Sequence, residues 1–387
     1  MESKFIHRDL TMFRPDFDST LIDLILELNF LRKKQLGGTT PPAIFFQLKG
    51  LFHAFESLGS AHIEGNNTTI SEYLAEKAQT NSRRRAEISE IRNLENALAF
   101  IDKNIKEVPF NKMLLRELHK LAVDGLQPPS SGGEGSFTPG EFRCGNVKIN
   151  NASHCPPDAA HVESYLEELL DFINKDFGEK YDLLKVAIAH HRFVWIHPFD
   201  NGNGRVVRLL TYAMLVRSGF NVEMGGRILN PSAIFCNNRE LYYNKLAKAD
   251  SGTQEGISEW CEYVLSGLRD EIEKIDRLCD YNFLKTKILL PALKKSLSSE
   301  RLSPNDSEAL SIAIEKGIFK APDLSPAFRG KSKSGLSRYI RRLQEENLIC
   351  PLTPQGRIYT LSFQNKAIWK PVVDCLIDEK FLPEILR

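Results

Sequence analysis

The stretch of sequence that decides the fold is residues 197–208, His-Pro-Phe-Asp-Asn-Gly-Asn-Gly-Arg-Val-Val-Arg. Apolar residues with helical spacing lie on both sides of it, at 183–196 and 209–216. Gly202 and Gly204 let backbone N–H groups approach a ligand, and a helix that begins here adds its positive N-terminal end. The stretch therefore predicts a turn between two core helices that binds an anion.

The charged side chains of this turn suggest which anion it binds. Arg205 and Arg208 are three residues apart and share a face of the first helical turn, which favours a di- or triphosphate. A neutral imidazole at His197 is a credible general base for an incoming hydroxyl. Asp200 and Asn201 offer oxygen ligands for Mg²⁺. A plain connecting turn with surface arginines and a core histidine is the alternative.

The composition indicates an ordinary globular protein of two or three domains. The chain has 387 residues, of which 42% are hydrophobic and 26% are charged. Its 51 basic and 50 acidic residues give a net charge of +1, so no global field favours nucleic acid or membrane. The seven scattered cysteines, the lack of a long apolar run and the lack of a signal-peptide pattern predict a cytoplasmic protein without a membrane segment.

Apolar residues at helical spacing predict a mainly α-helical fold. The predicted helices lie at about 18–36, 41–64, 70–78, 84–104, 110–124, 157–175, 182–196, 204–217 and 256–290, with a further one that contains residues 239–243. A long polar loop at 125–140 interrupts them and is expected to be functional. Phe142 and the alternating Val147 and Ile149 predict a short β-hairpin over 141–150.

The pattern changes beyond Pro291. A short helix from about 303, a basic helix at 332–347 and a hairpin at 352–361 predict a winged helix-turn-helix at about 297–365. The predicted domains are 1–105, 106–290 and 291–387. The basic helix would contact DNA phosphates, or it would belong to a protein-contact or domain-packing module with a solvated basic face. The two alternatives are equally open. Its basic residues are Lys331, Lys333, Arg338, Arg341 and Arg342.

Two motifs resemble those of the Fic family. Residues 197–208 are similar to its signature, His-Pro-Phe-x-(Asp/Glu)-Gly-Asn-Gly-Arg-x-x-Arg, and depart from it only at Asn201. Residues 60–65, Ser-Ala-His-Ile-Glu-Gly, resemble its inhibitory motif, Ser/Thr-x-x-x-Glu-Gly/Asn. With Phe142-Arg143 and Tyr242-Tyr243, the resemblance covers about residues 20–290. It implies a Fic helical bundle with a short β-hairpin flap, to which a C-terminal winged helix is a frequent companion.

The resemblance implies an activity and a set of site residues. Most members of the family transfer AMP from ATP to a Ser, Thr or Tyr hydroxyl of a target protein. His197 would be the catalytic base, and Asn201 and Asp200 would hold Mg²⁺. The residues that would bind the nucleotide are Gly202, Asn203, Gly204, Arg205, Val206, Val207, Arg208, Tyr243 and Asp250. The residues that would form the flap for a target segment are Phe142, Arg143, Val147 and Ile149. Asparagine in place of the family's acid should bind Mg²⁺ more weakly.

The resemblance also implies inhibition through Glu64 and Ser60. Glu64 is expected at the C-terminus of a helix, where the helix dipole disfavours an acid and a cation nearby would compensate. By resemblance that cation is Arg208. Two other functions stay open: removal of AMP from a modified target, with Glu64 orienting a water, and a nucleotide-sensing transcription regulator that binds DNA. The target protein stays unidentified, the chain itself is one candidate, and a homodimer is also open.

Overall fold

Helices account for most of the regular structure in the computed structural model, which describes residues 5–33, 38–77, 86–149, 154–220, 231–328 and 332–384. In chain order the helices are α1 (Thr20–Lys33), α2 (Pro42–Ile63), α3 (Ile70–Lys77), α4 (Ala86–Asn104), α5 (Lys112–Val123), α6 (Val162–Asn174), α7 (Asp182–Ile196), α8 (Asn203–Arg217), α9 (Ser232–Cys236), α10 (Arg239–Ala249), α11 (Gln254–Asp276), α12 (Tyr281–Phe283), α13 (Leu290–Ser298), α14 (Pro304–Lys316), α15 (Lys333–Glu345) and α16 (Lys366–Asp378). The predicted mainly helical fold is confirmed. Within the described ranges, no helix is long and apolar enough to cross a membrane.

The chain divides into two compact units, each assembled from separate stretches. The first consists of the described residues within 1–35, 53–68 and 83–273, and the second of those within 36–52, 69–82 and 274–387. Helix α2 contributes its first half to the second unit and its second half to the first. The three-part division at residues 105 and 290 stays a prediction.

Helices α7 and α8 form the centre of the first unit. The side chains of both are buried over almost their whole length, as the apolar sequence on either side of residues 197–208 predicts. Helix α7 packs against α6 and α8, and α8 also packs against α4 and α5. The buried Trp260 of α11 donates its indole N–H to the carbonyl of Ala187 (2.7 Å). Core packing on both sides thus fixes the ends of the turn between α7 and α8.

The hairpin predicted at 141–150 is wrong over its described part, 141–149, which contains no strand. Asn150 lies outside the described residues. The backbone N–H of Arg143 donates to the carbonyl of Pro198 (2.9 Å), and the Arg143 guanidinium donates to the carbonyls of His197 (2.8 Å) and Pro157 (2.6 Å). Because these bonds fasten the segment to the end of α7, it stays extended without a strand partner.

The second unit contains the only sheet in the described part of the chain. Strands β1 (Phe319–Lys320), β2 (Ile349–Pro351) and β3 (Ile358–Leu361) are antiparallel in the order β1-β3-β2. The predicted short helix, basic helix and hairpin are therefore present, as α14, α15 and β2–β3. Of the predicted basic residues, Lys331 lies outside the described ranges. That this module is a winged helix-turn-helix stays a prediction.

A buried carboxylate joins α2 to α9 within the first unit. Glu56 is 3% exposed and accepts hydrogen bonds from the backbone N–H (2.8 Å) and the hydroxyl of Ser232. Burial raises the pKa of Glu56 to about 7, although the Ser232 bonds and the charge of Arg208 act in the opposite direction. The folded protein therefore keeps a proton on Glu56 at a pH where an unfolded chain has lost it.

We expect Glu56→Gln to remove a pH-dependent loss of stability. The folded pKa lies above the ordinary value of 4.5, so the stabilising effect of the bound proton is complete below that value and is lost as the pH rises through about 7. The loss corresponds to roughly 3 kcal/mol. Relative to the unmodified protein, the melting temperature of the variant should rise between about pH 5 and about pH 8. Glu107→Gln, on an exposed side chain, is the matched control; melting curves for Glu56→Gln that shift in parallel with the unmodified protein would contradict the assignment.

Candidate functional site

The turn between α7 and α8 has a fixed shape. Its first residue, His197, has left-handed backbone (φ 51°, ψ 61°), and its N–H donates to the carbonyl of Phe193 (3.0 Å). Gly202 also has positive φ (76°), and α8 begins at the next residue. The buried Asn203 side chain bonds to both the N–H and the carbonyl of Phe199 (2.9 Å each). A left-handed non-glycine residue costs about 1–3 kcal/mol, and such strain is common at functional sites.

His197 is neutral at physiological pH. Its side chain is half-buried. Loss of solvent around the ring lowers the pKa of His197 to about 4, and the positive charge of Arg143 lowers it further. The guanidinium of Arg143 also holds the His197 carbonyl (2.8 Å), so the same side chain fixes the backbone. The imidazole is therefore in the form that accepts a proton.

The N-terminus of α8 faces a carboxylate of the same chain. A Cβ added to Gly204 would lie 2.1 Å from Glu64 Oε1, so only glycine leaves room for Glu64 here. Glu64 Oε1 accepts a hydrogen bond from Arg208 Nη2 (2.6 Å). Arg208, which is 2% exposed, also donates to the hydroxyl (2.8 Å) and the carbonyl (2.9 Å) of Ser60. The predicted anion site thus contains the Glu64 carboxylate.

The charge of Glu64 suits this position. Burial opposes its ionisation, but the nearby Arg208 and Arg205 outweigh burial, and the pKa of Glu64 is lowered. The compensating cation expected for an acid at the C-terminal end of α2 is thus Arg208. Glu64 keeps a side-chain exposure of 27%, so the pair lies at the edge of the core and not deep inside it.

Arg205 is buried among protein groups. It is 1% exposed, its Nη1 lies 3.1 Å from Glu90 Oε1, and its Nη2 donates to the carbonyl of Glu134 (2.5 Å). Contact between Arg205 and a nucleotide stays a prediction, and these partners do not favour it. The sequence analysis missed Glu90, which is 3% exposed on α4. Its signal was an acid between Ile88 and Ile91, on the apolar face of a predicted helix.

Asp200 and Asn201 hold the long loop against the turn. The two carboxylate oxygens of Asp200 accept hydrogen bonds from the Ser136 hydroxyl (2.6 Å) and the Phe137 N–H (3.0 Å). The Asn201 amide donates to the carbonyl of Gly135 (2.9 Å). Throughout the described residues, no group of three or more His, Cys, Asp or Glu side chains could hold a metal ion. Both carboxylate oxygens of Asp200 thus serve the loop, and the binding of Mg²⁺ by Asp200 and Asn201 stays a prediction.

His119 of α5 is a second histidine at this turn that the sequence analysis missed. Its ring stacks on Phe199, with centroids 3.9 Å apart. The ring bonds to the Gly140 N–H through Nδ1 (2.9 Å) and to the Asn201 carbonyl through Nε2 (3.1 Å). The Gly140 N–H can only donate, so Nδ1 accepts and Nε2 carries the proton. Burial lowers the pKa of His119 to about 4, consistent with a neutral ring that joins the loop to the turn.

The remaining predicted nucleotide residues differ in their surroundings. Val206 and Val207 are fully buried in α8, so their side chains belong to the core. Tyr243 is 43% exposed, with the Arg239 guanidinium 5.6 Å from its ring centroid, and is accessible to a planar ligand. Asp250 follows α10 and lies 2.9 Å from His191 Nε2. Their roles in nucleotide binding stay predictions.

The predicted flap residues differ in how deeply they are buried. Phe142 is buried and packs against Phe199, with ring centroids 5.3 Å apart, and Arg143 is buried among carbonyl groups. Val147 and Ile149 are half-buried. Phe142 and Arg143 therefore anchor the segment, and docking of a target along it stays a prediction.

Part of the chain is similar in sequence to a known family and to curated proteins. Residues 109–215, which include the turn, match the Fic/DOC family. Similar curated proteins include protein adenylyltransferase Fic from Drosophila willistoni, 26% identical over 52% of this chain and 37% of the relative. The protein of the same name from Nematostella vectensis is 28% identical over 49% of this chain and 42% of the relative. The chain thus spans about two-fifths of the length of these curated relatives.

Solved structures show the likeness of the fold. A Fic family protein from Desulfovibrio desulfuricans G20 has a TM-score of 0.53 at 20% identity, over 90% of this chain and 98% of that one. A Fic domain containing signaling protein from Bacteroides thetaiotaomicron VPI-5482 has a TM-score of 0.53 at 19% identity, over 67% of this chain and 98% of that one. The mainly helical, Fic-like fold is therefore confirmed, and residues 109–215 are similar to the Fic/DOC family.

Proposed function

We propose that the protein transfers AMP from ATP to a hydroxyl group of a protein, and that Glu64 inhibits this transfer. The observation that carries the proposal is the position of Glu64, whose carboxylate lies against the N-terminus of α8 and binds Arg208 (2.6 Å). A guanidinium beside a helix N-terminus that holds a carboxylate also suits a phosphate group. The match to the Fic/DOC family and the names of the curated relatives support this activity.

The chemistry requires a neutral base beside a phosphate chain, and His197 has that form. The imidazole takes the proton of the target hydroxyl as its oxygen attacks the α-phosphorus of ATP. The bond between the α-phosphorus and the bridging oxygen breaks, and pyrophosphate leaves with the electron pair. The N-terminus of α8 stabilises the negative charge of the phosphates. The proton remains on His197 until a later exchange with solvent.

Inhibition follows from competition between two anions. Glu64 and a terminal phosphate of ATP would both bind Arg208, and both would occupy the space that Gly204 leaves beside the N-terminus of α8. A carboxylate tethered to the same chain binds without losing the freedom of a separate molecule, so it competes well with a free ligand. While Glu64 occupies the space, ATP lacks the cation that would orient its phosphates for in-line transfer.

Glu64→Gly should raise protein labelling by α-labelled ATP. The variant removes a charge-assisted hydrogen bond, worth about 1.5–3 kcal/mol, which corresponds to roughly a tenfold to hundredfold increase. Adding His197→Ala should abolish the labelling, because the base is lost. The measurement is transfer of label to proteins of a cell lysate and to the protein itself.

His161→Ala is the matched control, because His161 is an exposed histidine of the same unit. It should leave the labelling by Glu64→Gly unchanged. Equal labelling by the unmodified protein, Glu64→Gly and the double variant would contradict the proposed mechanism. Release of AMP from a labelled target by the unmodified protein, lost in Glu64→Gly, would instead assign the protein to AMP removal.

Asn201→Asp tests the weakest point of the resemblance. Fic proteins generally use Mg²⁺ with the nucleotide, and aspartate would supply the negative oxygen that this position lacks. In the Glu64→Gly background, the Mg²⁺ concentration for half-maximal labelling should fall by about threefold or more. An Mg²⁺ titration of the labelling rate measures this concentration. If the labelling rate depends on Mg²⁺ in the same way with asparagine and with aspartate at position 201, this position does not contact the ion.

The second unit gives less support to the DNA-binding alternative. Arg341 pairs with Glu345 (3.0 Å), and Arg342 pairs with Glu346 (3.0 Å) and with the nearly buried Asp306. These acids neutralise two of the arginines that would bind the phosphates of DNA. We therefore propose that the face of α15 contacts protein; a specific gel shift lost on charge reversal at Arg338 would overturn that assignment.

A further inference from the structure

We propose that Asn66 and Glu90 are positioning residues that hold Glu64 against α8. The inference rests on the proposed function, because it concerns how the same site is kept inhibited. Glu90 of α4 contacts both Arg205 of α8 and Asn66, three residues beyond the end of α2, so it joins three segments of the first unit.

The end of α2 is closed by backbone hydrogen bonds. Gly65 has a φ of 107°, and the N–H of Asn66 donates to the carbonyl of Ala61 (3.1 Å) while that of Gly65 donates to the carbonyl of His62 (3.1 Å). This arrangement is a common way to end a helix at a glycine. Glu64 is thus within two residues of Asn66 on a short, closed piece of backbone, and holding Asn66 also holds Glu64.

Asn66 uses both ends of its amide group. The side chain is 9% exposed, and its Nδ2 donates to Glu90 Oε2 (2.8 Å) and to the carbonyl of Glu87 (3.0 Å). Its Oδ1 accepts the N–H of Thr68 (3.0 Å). A hydrogen bond to a buried carboxylate is stronger than one between neutral groups. The contact with Glu90 is therefore the strongest link between the end of α2 and α4.

Glu90 is a buried acid with two partners. It is 3% exposed, its Oε1 faces Arg205 Nη1 at 3.1 Å, and its Oε2 accepts from Asn66. Burial raises the pKa of Glu90, and Arg205 and the Asn66 amide offset only part of that effect. Because a buried charge is retained only with its partners in place, Asn66 and Arg205 stabilise the same carboxylate.

Two acids therefore hold neighbouring arginines of one helix. Glu64 binds Arg208 and Glu90 binds Arg205, three residues earlier. Asn66 connects the two acids, because it follows Glu64 closely in sequence and donates to Glu90. Glu64 can leave Arg208 and the N-terminus of α8 only if the end of α2 moves, and the hydrogen bonds of Asn66 to α4 oppose that movement.

The test is the labelling rate of Asn66→Ala with α-labelled ATP. We expect labelling to rise about fivefold or more above that of the unmodified protein, because Glu64 separates from Arg208 more often. In the Glu64→Gly background, Asn66→Ala should add nothing, since no carboxylate is left to position. A residue that only stabilises the fold would lower the melting temperature without raising the labelling rate.

Asn67→Ala is the matched control, since Asn67 is exposed and makes no side-chain hydrogen bond to any described residue. It should label like the unmodified protein. If Asn66→Ala does not fold, Asn66→Asp replaces it: this side chain keeps the acceptor for Thr68 and places a second carboxylate against Glu90, so labelling should again rise.

Hydrogen exchange gives a measurement that does not depend on activity. The backbone amides of residues 64–66 should exchange faster in Asn66→Ala than in Asn67→Ala. Unchanged exchange at these amides would overturn the inference even if no variant labels protein. Labelling by Glu64→Gly together with an unchanged rate in Asn66→Ala would overturn the inference and leave the proposed function standing, whereas absence of labelling in Glu64→Gly would count against the proposed function alone.

Discussion

The first unit depends on the partners of a buried cation. Arg208 is 2% exposed within a helix that is otherwise filled with core residues, and a guanidinium cannot give up its charge in a protein. An unpaired charge at this depth would cost several kcal/mol. Ser60 and Glu64 supply the missing partners, so the second half of α2 must pack where its polar residues reach α8. Any ligand that displaces Glu64 must itself bring an anion, which is the property expected of a nucleotide site.

Much of the helical framework follows from the sequence because its signal is local. Apolar periodicity identifies α7 and α8, and glycine with a polar turn identifies their connection. The contact between Glu64 and Arg208 is present as the resemblance implied, although 144 residues separate the pair. Physical reasoning from the sequence alone reached only the need for some cation near Glu64, because it carries no information on which distant helix supplies one.

What the sequence did not reveal has specific physical causes. The alternation of Val147 and Ile149 indicates extended backbone, but it does not reveal that Arg143 fastens the segment through carbonyl groups in place of a strand partner. The residue type of Asp200 suggested a metal ligand, but it did not reveal that both carboxylate oxygens accept hydrogen bonds from Ser136 and Phe137 of the long loop. In both cases the partner of a polar side chain lies in a distant part of the chain, which a local pattern does not identify.

The depressed pKa of His197, about 4, has a consequence for how such a site can be controlled. The pKa of Glu64 is also lowered, so both side chains keep one charge state across the neutral range. A fall in pH of one or two units would leave both of these charge states unchanged. Relief of the proposed inhibition would therefore need movement of the end of α2, because titration of these two side chains would not supply it.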